Sequence, residues 1–214
     1  MTGQDPAAPK PYRTVERTAE TEYVISRSRF IGRCFPVTEE SEALAILEQI
    51  RKQHWDATHN CFAYRLRSGA ARYSDDGEPQ GTAGLPMMEV LKKRDLYDVL
   101  VISTRYFGGI LLGAGGLVRM YSRAAKEAVE QAHVVVKEKC TVWEVVCSYS
   151  DHPRLLAELS KFGATAEKTD FAEAVTVRFT VRAALENDLL LRVREMSGGS
   201  IVPRKIGETF RAIG

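Results

Sequence analysis

No stretch of this sequence approaches the roughly 20 consecutive apolar residues that a membrane-spanning helix needs. The opening residues, MTGQDPAAPKPYRT, hold no apolar core of the kind a secretory signal carries. There is no C-x-x-C pair either. The four cysteines, Cys34, Cys61, Cys140 and Cys147, are scattered, which argues against a disulfide framework or a zinc site and for reduced thiols in a cytoplasmic protein. Neither sign of charge is in excess. The formal net charge is +2, and residues 1–136 carry 18 basic and 17 acidic side chains while residues 137–214 carry 12 and 11. No global field therefore points to nucleic acid or membrane. H-E-x-x-H and nucleophile-elbow patterns are also missing from the sequence, which leaves a peptidase reading without support.

What is present is an ordinary globular composition, 44% hydrophobic and 27% charged over 214 residues, enough for two domains. Residues 1–20, rich in Pro, Gly and Ala at their start, read as a flexible tail, followed by domains at 21–136 and 137–214. EYVISRSRFIGRCFPV reads as extended structure. TEESEALAILEQIRKQH reads as a helix with Thr38 as its N-cap and Leu44, Leu47 and Ile50 on one stripe. CFAYRLR is a strand that turns at Ser68-Gly69. YSDDGEPQGTAGLP, with three glycines and two prolines in 14 residues, is a long loop ahead of a short helix opened by Pro86. YDVLVISTRYF is a strand buried on both faces, and a helix runs from about Leu117 to His133. A domain boundary falls near VVVKEKC. Beyond it the pattern is strand, helix capped by Ser150 and stopped at Gly163, two strands, helix, strand. This β-α-β-β-α-β order is the ferredoxin-like split unit, so the fold class is α+β.

Four segments are candidates for function. The passage RYFGGILLGAGGLVR places Gly108, Gly109, Gly113, Gly115 and Gly116 within nine positions, between a buried strand and a helix. Backbone N–H groups there can cradle an oxyanion, with Arg105 and Arg119 adding charge-assisted hydrogen bonds. The spacing matches neither G-x-x-x-x-G-K-[ST] nor G-x-G-x-x-G, and the bland alternative is a tight packed corner. The acidic loop crowds Asp75, Asp76 and Glu78 ahead of Thr82. These carboxylates could hold Mg²⁺ or supply a base, and Thr82 could meet a phosphate, but Asp-Asp-Gly is also plain turn chemistry. His59 and Cys61 share one face of a strand and read more readily as packed side chains than as half a metal site, and His54 suits a helix C-terminus. The segment from Arg192 onward holds five basic and two acidic residues. Arg204 and Lys205 there could meet RNA, without the surface aromatics of RNA-recognition sheets.

The segments SRSRF, HNCFAYR, SDDGEPQGTAGLPMMEVL and VLVISTRYFGGILLGAGGLVRMYSRA resemble the N-terminal domain of the IMPACT family, in its bacterial YigZ-like branch. The motifs span about Glu22 to His133. The resemblance implies a first domain like the second domain of ribosomal protein S5, in a superfamily with domain IV of elongation factor G and small-molecule kinases. It implies a second domain like domain V of elongation factor G. Both relatives face the ribosome. Eukaryotic members regulate translation by binding a large activator protein, with help from an N-terminal RWD domain. That domain has no counterpart in this sequence, so the interaction is not expected to carry over intact. The expectation is a cytoplasmic protein associated with RNA or the ribosome, a translation factor being a further candidate partner, with no catalytic residue and no cofactor. The rival is an enzyme acting on a phosphorylated small molecule or nucleotide, with Mg²⁺ held by the acidic loop. The oligomeric state is left open.

Overall fold

The computed structural model describes residues 10–212. The first nine residues of the expected tail lie outside them. The chain divides into two units between Val136 and Lys137, each with its own apolar core. No helix among the described residues is long and apolar enough to cross a membrane.

The first unit begins with strands β1 (Tyr12–Val15), β2 (Ala19–Ile25) and β3 (Ser28–Pro36). Residues 12–20 are thus largely strand, where the sequence suggested tail. Helix α1 (Glu40–Gln53) leads to β4 (His59–Arg65), β5 (Ala71–Ser74), α2 (Gly84–Lys93), β6 (Val99–Tyr106) and α3 (Gly113–Gln131). Five strands form an antiparallel sheet in the order β2-β3-β6-β4-β5. Alternation sorts their side chains. Phe30, Cys34, Cys61, Ala63, Val99 and Val101 pack with α2 and α3 on one face, and Phe62, Tyr64, Leu100 and Ile102 pack with Ala43, Leu47 and Ile50 of α1 on the other.

Several local expectations change. EYVISRSRFIGRCFPV is a hairpin, not one strand. Ser26 and Arg27 take φ of 46° and 62°, the paired left-handed geometry that lets a two-residue turn follow strand twist. Thr38 does not cap α1; Glu39 holds that place with no side-chain cap, and the Thr38 N–H donates instead to Glu42 Oε2 at 2.9 Å. Ser150 likewise does not cap α4, where Asp151 occupies the N-cap. Helix α3 starts at Gly113, a turn before the expected Leu117. The chain turns into it at Gly113 itself, with φ of 70°.

VVVKEKC, read as a boundary, lies inside one 14-residue strand, β7 (Val134–Cys147). Its start lies beside the end of β1, where the Glu16 N–H donates to the His133 carbonyl at 2.8 Å. The second unit continues with α4 (His152–Lys161), β8 (Thr165–Phe171), β9 (Val175–Arg182), α5 (Glu186–Met196) and β10 (Arg204–Ala212). Its strands run antiparallel in the order β10-β7-β9-β8. Leu155 and Leu159 of α4 and Leu189 and Val193 of α5 cover the same face, against Val175, Val177, Phe179 and Val181.

The glycine passage is first of all a corner. A Cβ on Gly108 would lie 2.0 Å from the carbonyl carbon of Arg27, so the β2–β3 turn can seat itself there only against glycine. Gly115, in contrast, faces open space inside a helix. Gly108→Ala is expected to destabilise the protein by about 1–3 kcal/mol through overpacking, and Gly115→Ala to stabilise it by up to about 1 kcal/mol through helix propensity. Urea unfolding of the two variants checks the opposite signs.

Candidate functional site

The acidic loop and the strand before the glycine corner do meet, but inside the protein. Arg105 on β6 is 5% exposed and Glu78 is 7% exposed. The Arg105 Nη1 donates to Glu78 Oε1 at 2.7 Å, and the Tyr121 hydroxyl of α3 donates to the same oxygen at 2.7 Å. His59 Nε2 is 3.8 Å from it. The guanidinium carbon lies 5.4 Å from the Phe30 ring centroid and 5.3 Å from that of Phe107, close enough for cation–π attraction on both. Ser28 Oγ accepts from Arg105 Nη2 at 3.4 Å and from the Gly108 N–H at 3.2 Å. Arg105 therefore balances a buried carboxylate instead of facing solvent.

The remaining loop residues also serve the fold. Both Asp75 carboxylate oxygens accept backbone N–H bonds, one from Gly81 at 2.8 Å and the other from Ala83 at 3.0 Å and Gly84 at 2.8 Å. They thereby satisfy donors at and just before the start of α2. Asp76 accepts from the Asn60 N–H at 2.7 Å and from Arg51 at 3.1 Å. Thr82 is buried, and its hydroxyl donates to the Pro79 carbonyl at 2.6 Å. Among the described residues no group of three or more His, Cys, Asp and Glu side chains is placed to hold a metal ion. Cys61 donates to the Asp75 carbonyl at 2.9 Å. Burial pushes its thiol pKa well up, with the neighbouring carboxylates adding to the effect, so it is a packed thiol and not a nucleophile.

The structure thus separates three features that the sequence had grouped. Arg105 is internal. Gly113, Ala114 and Gly115 form an exposed first turn of α3 without a side-chain cap. Arg119 stands six residues further on, about 9 Å along the helix, in a cleft between α2 and α3 and not beside the glycine amides. That cleft, about 570 Å³, is lined by Lys93, Arg94, Arg119, Arg123 and Lys126 with Glu127 and Glu130. In the second unit Arg204 pairs with Glu144, Lys205 with Glu208 and Arg211 with Glu167, so the basic bias seen in sequence is balanced in space.

A second buried polar cluster, on the α1 face of the sheet, escaped the sequence reading. Arg33 of β3 is 4% exposed. It donates to Glu20 at 2.6 Å, to Thr104 Oγ1 at 3.0 Å and to His54 Nε2 at 2.6 Å. A guanidinium cannot accept, so it fixes the His54 proton on Nδ1. That nitrogen donates to the Tyr106 hydroxyl at 2.9 Å, which donates to Asp56 at 3.2 Å. The signal in the sequence was Arg33 itself, a charge in step with Ile31 and Phe35 on an apolar face.

Burial, and then the Arg33 charge, hold the His54 pKa below the usual imidazole value of 6.5. The unfolded chain therefore binds a proton here that the native state does not, and stability rises with pH. The contribution is present above about pH 6.5 and is lost as pH falls through the native value. His54→Gln, which keeps an acceptor for Arg33, is expected to flatten the decline in stability below about pH 6.5. Urea unfolding of both proteins at several pH values between 5 and 8 measures this, the usual range for histidine titration.

Comparison with known proteins accords with this architecture. Residues 26–129 match the Impact N-terminal domain, and residues 145–200 match a domain of unknown function, DUF1949. The chain is 38% identical to IMPACT family member YvyE of Bacillus subtilis over 190 residues, 88% of each chain. It is 32% identical to IMPACT family member YigZ of Escherichia coli over 83% of this chain and 89% of that one. A crystal structure described as that of a hypothetical protein superposes with a TM-score of 0.62 at 29% identity, covering 92% of this chain and 98% of its own. The two matched domains and the near full-length likeness to YvyE show that this chain belongs to the IMPACT family.

Proposed function

We propose that this protein associates with ribosomal or other structured RNA in the cytoplasm and modulates translation, by binding and not by catalysis. The observation that carries this reading is the fate of the acidic loop. Asp75, Asp76 and Glu78 are each engaged by backbone amides or by arginine, and Glu78 neutralises Arg105. The groups an enzyme would turn toward a phosphorylated substrate are working as structural ties.

The architecture supports the same reading. The β10-β7-β9-β8 order of the second unit, with both helices on one face, is the arrangement expected of a unit like domain V of elongation factor G. The five-stranded first unit stands where the resemblance implies an S5-type domain. Ribosome-facing modules of this kind act by docking, and membership of the IMPACT family aligns the chain with proteins whose eukaryotic members regulate translation. A partner that is itself a translation factor is compatible with docking at the same ribosomal surface.

Co-sedimentation with purified ribosomes across a salt titration tests the reading. Association is expected at low ionic strength and should weaken steeply from 50 to 200 mM salt, as counterion release at phosphate contacts requires. Absence of binding to ribosomes and to structured RNA at low salt would refute it.

A further inference from the structure

We infer that the cleft between α2 and α3 is a track for the phosphodiester backbone of single-stranded RNA. The inference rests on the RNA-association reading above and assigns it a place. Five basic and two acidic side chains line the cleft. Both acids are already matched: Arg94 pairs with Glu130 at 2.6 Å, and Arg123 with Glu127 at 2.7 Å. Lys93, Arg119 and Lys126 remain, exposed and with no ion-pair partner among the described residues. The basic residues of β10 offer a contrast, since Arg204, Lys205 and Arg211 each have a carboxylate partner.

Spacing points to a chain of phosphates. Arg119, Arg123 and Lys126 recur at i, i+4 and i+7 on one face of α3 and span about 10 Å along its axis. Phosphates advance by about 3.4 Å each along the axis of a duplex and lie farther apart along an extended single strand, so the row reaches about two of them, with Lys93 on the opposite wall placed for another. Arg123 is also held in place, its guanidinium 4.4 Å from the Tyr23 ring centroid. The lining contains only one apolar side chain, Val90. The rest of its apolar surface is the aliphatic stems of the charged side chains, and no aromatic ring lines it. Phosphate recognition needs only donors and charge.

The test compares the full chain with a variant carrying Lys93→Gln, Arg119→Gln and Lys126→Gln. All three positions are exposed helix sites, so its melting temperature should match that of the parent. A control carries Arg204→Gln, Lys205→Gln and Arg211→Gln, which removes the same charge from the second unit. The probes are a single-stranded RNA 12-mer, ATP and poly-glutamate, and fluorescence anisotropy is read from 50 to 200 mM salt. The cleft variant should bind the RNA at least about tenfold more weakly, with a log–log salt slope shallower by about 2, as loss of three single-strand phosphate contacts predicts. The control should bind like the parent, and ATP and poly-glutamate should compete poorly. RNA binding that survives in the cleft variant, or that falls equally in the control, overturns this assignment and leaves the RNA reading intact. Equal affinity for ATP makes the cleft a small-molecule site, and equal affinity for poly-glutamate makes it a site for an acidic protein. Either result overturns the track. If the parent does not bind the 12-mer, the track falls, and the RNA reading falls with it only when ribosomes and structured RNA also fail to bind at low salt.

Discussion

The first unit depends on one buried ion pair. Arg105 and Glu78 meet at 2.7 Å with side chains 6% and 3% exposed, and they join three separate pieces of chain. Arg105 lies one residue from the end of β6, just before the glycine corner, Glu78 lies in the acidic loop, and Tyr121 of α3 shares the carboxylate oxygen. Removing two charges from water is costly, and such a pair is tolerated only where hydrogen bonds and geometry are good. Here Tyr121, Ser28 and two aromatic rings supply them. The Arg105 Nε still has no partner among the described residues. The pair's clearest consequence is positional: it fixes the loop that starts α2 against the strand that leads to α3.

With that loop tied down, Asp75 can satisfy the Gly81, Ala83 and Gly84 amides, and α2 is set beside α3. The distance between those helices defines the cationic cleft. The buried pair and the exposed cleft are thus one arrangement seen from two sides. Interior charges hold two helices in register, and three of the cations those helices carry, Lys93, Arg119 and Lys126, have no ion-pair partner among the described residues. On the opposite face of the sheet, Arg33 and His54 bury charge and hydrogen bonds in a similar way, and there the pKa of the imidazole makes the cost sensitive to pH.

Local periodicity made much of the fold legible. The continuous apolar run of β6, the alternation of Val175, Val177, Phe179 and Val181, and the β-α-β-β-α-β order of the second unit are all readable from neighbouring residues, and the structure has them. The Ser26-Arg27 turn was hidden because it holds neither glycine nor asparagine, and two residues of turn left the strand alternation in phase. The start of α3 was hidden because glycines normally end a helix. The site was half legible. The sequence marked the acidic loop and the glycine corner as special, but their roles are set by partners far along the chain, 27 residues apart for Glu78 and Arg105 and 21 for Arg33 and His54. The cleft was invisible for the same reason: Lys93 and Arg119 belong to different helices, and only packing brings them to one groove.

A double-mutant cycle on stability with Arg105→Met and Glu78→Gln measures whether Arg105 and Glu78 form a structural tie or a ligand site. Each single variant strands a buried charge and should lose about 3–5 kcal/mol. The double variant should lose less than the sum, with a coupling energy of about 2 kcal/mol or more, at the upper end for residues in contact. Single variants that unfold like the parent, with additive effects in the double, would contradict the account and return Arg105 to the pool of groups free to meet a ligand.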